Sequence, residues 1–264
     1  MEKRTKHYLQ KYLVHRLFGE KNYFRFVFFK IYFQYKLGFE YEITNLLKRI
    51  LKGGDVFFDV GANLGQYSIR LCGLAKSKVR IFAFEPLKIN YAILKSYFGK
   101  NENFKVERYA VSDYSGSSDM KIPVIDGIRI GTQASLDNAV RKTEFEKHEK
   151  EIVEVISIDE YIERNRIDRL DYIKTDTEGG DARVILGSRK SISKYHPFII
   201  TEDILEGEAL EFLTGLGYKQ YTVSRNGRIY EGGLQTGKGS GKINDVVIYL
   251  HKNTVLRLKE YICN

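Results

Sequence analysis

The sequence predicts an α/β protein with a doubly wound, mostly parallel sheet, and three observations lead there. Short apolar runs at 56–60, 79–84, 104–111, 151–156, 171–174 and 198–201 alternate with segments of helical period. The first run passes through Gly61-Ala62-Asn63-Leu64-Gly65 into a helical pattern at 66–74, which gives the order strand, glycine turn, helix. The tail at 218–224, 228–230 and 245–250, joined by the turn Arg225-Asn226-Gly227, has no helical segment between its first two runs and reads as a closing antiparallel edge.

Each element has its own signal. Ile43, Leu46, Leu47, Ile50 and Leu51 fall at i, i+3, i+4, i+7 and i+8, one stripe of a helix that Gly53-Gly54 ends. Residues 56–60 form an apolar run bounded by glycine, as expected of a central strand covered on both faces. Helices follow at 66–74 and 89–98, then a polar insertion at 112–150. After the strand at 151–156 come helices at 158–165, 181–193 and 208–216, spaced as crossovers between parallel strands.

Length and composition suit one core with an appendage. The chain has 264 residues, 43% hydrophobic and 29% charged, with three prolines. The division expected is a basic aromatic helical extension at 1–52 and a catalytic α/β domain at 53–264. Residues 1–52 carry twelve Lys and Arg against four Glu, so nearly all of the net charge of +9 lies there. The run from Asn22 to Lys36 is aromatic, but charges interrupt it before it reaches membrane-spanning length. It reads as a helix that covers the core or pairs a homodimer, with an anionic membrane surface as the alternative partner. Cys72 and Cys263 are far apart with no metal-ligand spacing, and the charged amino terminus lacks a signal-peptide pattern. A cytoplasmic protein, peripheral to a membrane at most, is the expectation.

The glycine turn carries the functional signal. Ligands of open α/β sheets settle beyond the carboxyl ends of the strands, where glycines admit close backbone approach and a helix amino terminus offers free N–H groups. Here Asn63 replaces the second glycine of a dinucleotide fingerprint and Asp59 precedes the turn, which disfavours a pyrophosphate. A cofactor with a cationic sulfonium and an amino acid head group would gain from a carboxylate such as Asp59. Glu85, ending the second strand, stands where ribose hydroxyls can donate to it. Each acid alone would read as a cap or surface residue; the order and spacing of the two point to a site.

The run Phe58-Asp-Val-Gly-Ala-Asn-Leu-Gly-Gln-Tyr-Ser68, with Phe84-Glu-Pro86, Ala110-Val-Ser-Asp113, Gly116, Asp171-Tyr-Ile-Lys-Thr-Asp-Thr-Glu-Gly179 and Leu186-Gly187, resembles the FkbM family of methyltransferases over about residues 55–204. The resemblance implies a class I, Rossmann-like fold: a mostly parallel seven-stranded sheet with an antiparallel edge strand. It also implies S-adenosylmethionine as donor and O-methylation of a sugar, glycan or other hydroxyl acceptor. The donor residues it implies are Asp59, Gly61, Ala62, Asn63, Gly65, Tyr67, Ser68, Glu85, Pro86, Ala110, Asp113 and Asp176. Gly180-Asp181 departs from the family's more usual Ala-Glu, which keeps an acid and predicts a looser turn.

A hydroxyl acceptor must lose its proton during attack, which calls for a base or a metal. Asp176, Glu178 and Asp181 follow one strand, and Glu202 and Asp203 the next, so adjacent parallel strands bring the two groups together. Asp176, Glu178 and Glu202 are therefore the catalytic candidates, with Asp176, Glu202 and Asp203 as ligands should Mg²⁺ or Mn²⁺ be used. His196 reads as a loop histidine at a strand entrance, with a base role as the alternative. Gly232–Lys238 imitates a phosphate loop, but Gly239 stands where a Ser or Thr must reach Mg²⁺. Nucleic acid is disfavoured as acceptor because the acidic Asp176-Thr-Glu-Gly would repel phosphates, and a noncatalytic binding module is disfavoured by the intact acids.

Overall fold

The computed structural model describes residues 2–37, 42–74, 78–125, 127–136, 147–202, 205–224, 227–232 and 247–263. In chain order its elements are helices α1 (Glu2–Lys36) and α2 (Glu42–Ile50), strand β1 (Val56–Val60), α3 (Gln66–Leu74), β2 (Arg80–Phe84), α4 (Lys88–Phe98), β3 (Phe104–Glu107) and β4 (Ala110–Val111). Then come β5 (Gly116–Ile125), β6 (Ile128–Arg129), β7 (Ser135–Leu136), β8 (His148–Ile156), α5 (Ile158–Asn165), β9 (Tyr172–Thr175), α6 (Asp181–Leu186), α7 (Arg189–Tyr195) and β10 (Phe198–Thr201). The chain finishes with α8 (Gly207–Gly215), β11 (Tyr218–Val223), β12 (Ile229–Glu231), β13 (Val247–His251), α9 (Lys252–Arg257) and β14 (Ile262–Cys263).

The main sheet runs β14-β12-β11-β13-β10-β9-β1-β2-β3. Strands β3, β2, β1, β9 and β10 are mutually parallel, and β13 joins antiparallel. This corrects the seven-stranded expectation. Among the described residues the sheet has nine strands, because β12 joins β11 antiparallel and the short β14 joins β12 parallel. The strand expected at 104–111 breaks into β3 and β4, and β8 leaves the main sheet altogether. Strand β8 pairs with β4 and with the long β5, so the polar insertion contributes to a second sheet, β4-β8-β5-β6, with β7 on β5.

Alternation along the central strands produces two cores. Phe57 faces one cluster with α1, α2, α3 and α4, while Val56, Phe58 and Val60 face the other with α5, α6, α7 and α8. That is the reason the run reads as continuously apolar: both faces are covered. The helix expected at 181–193 is two helices. Gly187 packs so closely that a Cβ would lie 2.1 Å from the Ser112 carbonyl oxygen. Asp159 of α5 caps the next helix afresh, accepting from the Lys190 and Ser191 amides at 2.9 and 2.8 Å.

Candidate functional site

The carboxyl ends of β1, β2, β4, β9 and β10 open on a cavity of about 240 Å³. Its polar wall includes Asn63, Glu85, Asp176, Glu178, Arg183 and Glu202, and Gly61 and Gly180 border it. Its apolar wall includes Leu87, Ala110, Val111, Met120 and Leu136. Met120 and Leu136 come from the second sheet, so the insertion forms a side of the cavity.

The glycine turn is fixed by sterics and by two buried acids. Gly61 has φ 69°, and a Cβ there would lie 2.0 Å from the Asp176 carbonyl oxygen, so the chain leaving β1 and the chain leaving β9 approach each other at a position only glycine fits. Glu85 is buried and accepts from the Asn63 amide at 2.8 Å and the Leu87 amide at 2.9 Å, which ties the end of β2 to the turn after β1. Burial pushes its carboxyl up to about 7, offset in part by these same hydrogen bonds, by Asn90 and by Lys174.

Beneath the cavity lies a buried ion pair. Asp59 and Lys174 sit opposite each other in the β1–β9 register, and Lys174 Nζ stands 3.2 Å from Asp59 Oδ1. Ser68 donates to Asp59 Oδ2 at 2.6 Å. Lys174 also donates to the carbonyls of Val60 and Gly61 at 3.2 and 3.1 Å, lies over the Tyr67 ring, and stands 3.6 Å from Asp176 Oδ2. Burial alone would lower the lysine, but Asp59 and Asp176 outweigh it and hold the ammonium above its ordinary value.

Asp176 and Glu202 form a carboxyl pair. Burial opposes the charge on Asp176, yet Lys174 and a hydrogen bond from Glu202 bring its pKa below the ordinary carboxylate value. Glu202 is pushed up to about 8, first by its hydrogen bond to Asp176, then by burial and by the charges of Asp176, Glu178 and Asp181. The proton of the pair therefore resides on Glu202. Asp181 organises the loop below: it accepts from the Thr177 amide at 3.0 Å, from the Thr175 and Thr177 hydroxyls at 2.8 Å each, and from the Glu202 amide at 3.2 Å. Gly180 does not loosen this turn, since a Cβ there would come within 2.9 Å of the Thr177 hydroxyl.

The pair has a thermodynamic signature. The folded chain keeps the Glu202 proton up to about pH 8, whereas the unfolded chain releases it near the ordinary 4.5. Folded protein thus binds more protons across that window, and this group's contribution makes stability fall as pH rises through it. Glu202→Gln is expected to gain stability over the parent progressively between these limits and no further above them. Thermal melts of both proteins from pH 5 to 9 check this; parallel profiles would refute the shared proton.

Of the sequence-predicted residues, Gly61, Asn63, Glu85, Pro86, Ala110, Asp176, Glu178 and Glu202 border the cavity. Asp59, Ala62, Gly65, Tyr67, Ser68 and Asp113 do not. Asp59, expected near a cationic ligand, has its carboxylate fully buried one layer below the cavity, engaged with Lys174 and Ser68. Asp113 instead faces Arg183 at 3.3 Å. His196 lies at the opposite end of β10, stacked on His251 with ring centroids 4.0 Å apart. Asp203 and nearly all of the glycine-rich segment at 232–241 lie outside the described residues. Sequence reasoning missed Lys174 as a positioning residue, and it missed Leu87, Met120, Leu136 and Arg183 as cavity walls.

Among the described residues, which exclude Asp203, the acids do not form a metal centre. Among the described residues no three His, Cys, Asp or Glu side chains converge as ligands. The Asp176 carboxylate has a lysine ammonium and a protonated carboxyl as its neighbours, both competitors for a cation's place.

The family model described as "Methyltransferase FkbM domain" matches residues 59–220. The chain is 23% identical over 167 residues to the hexuronic acid methyltransferase AglP of Haloferax volcanii, covering 62% of each protein. It is 25% identical over 179 residues to the 2-O-methyltransferase NoeI of Sinorhizobium fredii, covering 63% of this chain and 71% of that one. It thus spans less than two thirds of the length of the first of these relatives. A crystal structure of an FkbM methyltransferase from Methylobacillus flagellatus superimposes with a TM-score of 0.49 at 19% identity, over 91% of this chain and 53% of that one. With a glycine turn, an anchored acid after β2 and a Lys-Thr-Asp-Thr-Glu-Gly strand end inside the 162 residues matched by the family model, the chain belongs to the FkbM methyltransferase family.

Proposed function

We propose that the protein is an S-adenosylmethionine-dependent O-methyltransferase that methylates a hydroxyl of a sugar or glycan acceptor, with residues 53–264 as the catalytic domain and 1–52 as its extension. The observation that carries this reading is one cavity, at the carboxyl ends of parallel strands, shared by the glycine turn and four acids: Glu85, Asp176, Glu178 and Glu202. The names of the two relatives, a hexuronic acid methyltransferase and a 2-O-methyltransferase, support the sugar.

The residues suit this donor. Glu85 presents a buried carboxyl to ribose hydroxyls, and Leu87, Val111, Met120 and Leu136 offer an apolar slot for a flat base. The turn around Gly61 and Asn63, with Asp176, would hold the amino acid end. Asp59, Ala62, Gly65, Tyr67, Ser68 and Lys174 act beneath them as positioning residues, and Asp113 holds Arg183 at the rim. Bound S-adenosylmethionine supplies a methyl group on a cationic sulfur that leaves as a neutral sulfide. The chain aligns the acceptor oxygen in line with that methyl and excludes water. Asp176, Glu178 and Glu202 line the acceptor side of the cavity, and the proton the oxygen releases passes to the Asp176 carboxylate, since Glu202 already carries its own.

Titration calorimetry with S-adenosylmethionine, followed by turnover with a panel of sugar hydroxyls, tests the reading. Donor binding and methyl incorporation into a sugar are expected. Well-folded protein that binds neither the donor nor its demethylated product would overturn it.

A further inference from the structure

Past the kink at Gly19, where φ is 74°, helix α1 is apolar on two opposite sides. Tyr23, Phe24, Phe28 and Ile31 are buried against the body of the protein, with Phe28 stacked on Tyr97 of α4 at 4.1 Å. On the other side Phe26 and Phe33 are 58% and 61% exposed, Phe29 is 42% exposed, and Leu37 just past the helix is 74% exposed. At 3.6 residues per turn, positions 26, 29, 33 and 37 form a single stripe. Arg25 and Lys36 flank it on one side and Lys30 on the other, all exposed, with Lys21 beside Arg25. Lys21, Arg25 and Lys30 have no carboxylate partner among the described residues, and the ammonium of Lys36 lies 5.5 Å from the Tyr32 ring centroid.

We infer that this face of α1 is a docking surface for an anionic lipid bilayer, with the helix lying in the plane of the interface. Aromatic side chains sit at the boundary between headgroups and acyl chains, and the flanking cations meet the lipid phosphates. Among the described residues no helix is long and apolar enough to cross a membrane, which leaves in-plane binding as the mode open to this helix. Charge argues against a second copy on the same face: residues 1–52 carry twelve cations against four acids, and pairing two such helices would set the cations against each other. The inference rests on the helix surface and is independent of the cavity's chemistry.

The test is cosedimentation of the full chain with vesicles at low salt. Binding is expected to equimolar phosphatidylglycerol and phosphatidylcholine, and to fall about tenfold or more on phosphatidylcholine alone. The combined variant F26A/F29A/F33A is expected to lose binding by about tenfold or more while its circular dichroism stays that of the parent. Should that variant unfold, K21Q/R25Q/K36Q, which alters exposed cations alone, is expected to show a comparable loss. The proposal fails if the parent stays in the supernatant, if a folded variant binds as the parent does, or if sedimentation equilibrium reveals a dimer that the aromatic variant disperses.

Discussion

Replacing Lys174 by methionine is expected to destabilise the protein by about 3–5 kcal/mol, the usual effect of removing one partner from a buried ion pair. Methionine keeps all but the last atom of the side chain's length, so lost packing contributes little. What disappears is the counter-charge of Asp59, a fully buried carboxylate whose other recorded partner is Ser68. The carbonyls of Val60 and Gly61 lose their donor as well. The double variant Asp59→Asn/Lys174→Met removes both charges of the pair and is expected to recover much of the loss. Denaturant midpoints for the four proteins of the cycle measure the coupling; additive effects would show that the two side chains do not act as a pair. Because Lys174 holds the end of β1, donor affinity is expected to drop in the single variant even where it remains folded, which calorimetry reads separately.

Gly61→Val should be comparably damaging for a different reason. A Cβ at this position would meet the Asp176 backbone oxygen at 2.0 Å, and φ of 69° is costly for a β-branched residue. Backbone strain of about 1–3 kcal/mol adds to overpacking of about 1–3 kcal/mol, so a loss of about 2–6 kcal/mol is expected. The collision is with main chain, so no rotamer change relieves it; β1 and β9 must part at the place where the cavity begins. Thermal unfolding and donor titration are expected to fall together. A Gly61→Val protein as stable as the parent would mean that the strand tips are not packed as described.

The central strands were legible because both of their faces are buried, leaving unbroken apolar runs, and β1 and β10 lie where those runs lie. The second sheet was not legible. Strand β5 alternates small, polar and apolar residues from Gly116 to Ile125, a pattern that one-sided cover produces and that a loop also tolerates. Lys174 carried a signal that could have been read. A lone acid in Val-Phe-Phe-Asp-Val and a lone lysine in Tyr-Ile-Lys-Thr, both in fully buried strands, must find each other if those strands are neighbours.

The sequence by itself determined the strand, glycine turn and helix order, the family, and the set of acids at the strand ends, since these depend on local period and on residue type. Only the tertiary structure decided which acids face the cavity. It put Asp59 beneath the turn and Glu85 beside it, gave the proton of the Asp176–Glu202 pair to Glu202, and brought Met120 and Leu136 in from the insertion. Those outcomes follow from strand register and burial, which set the distances between charges and the water left around them, and neither quantity is local in the chain.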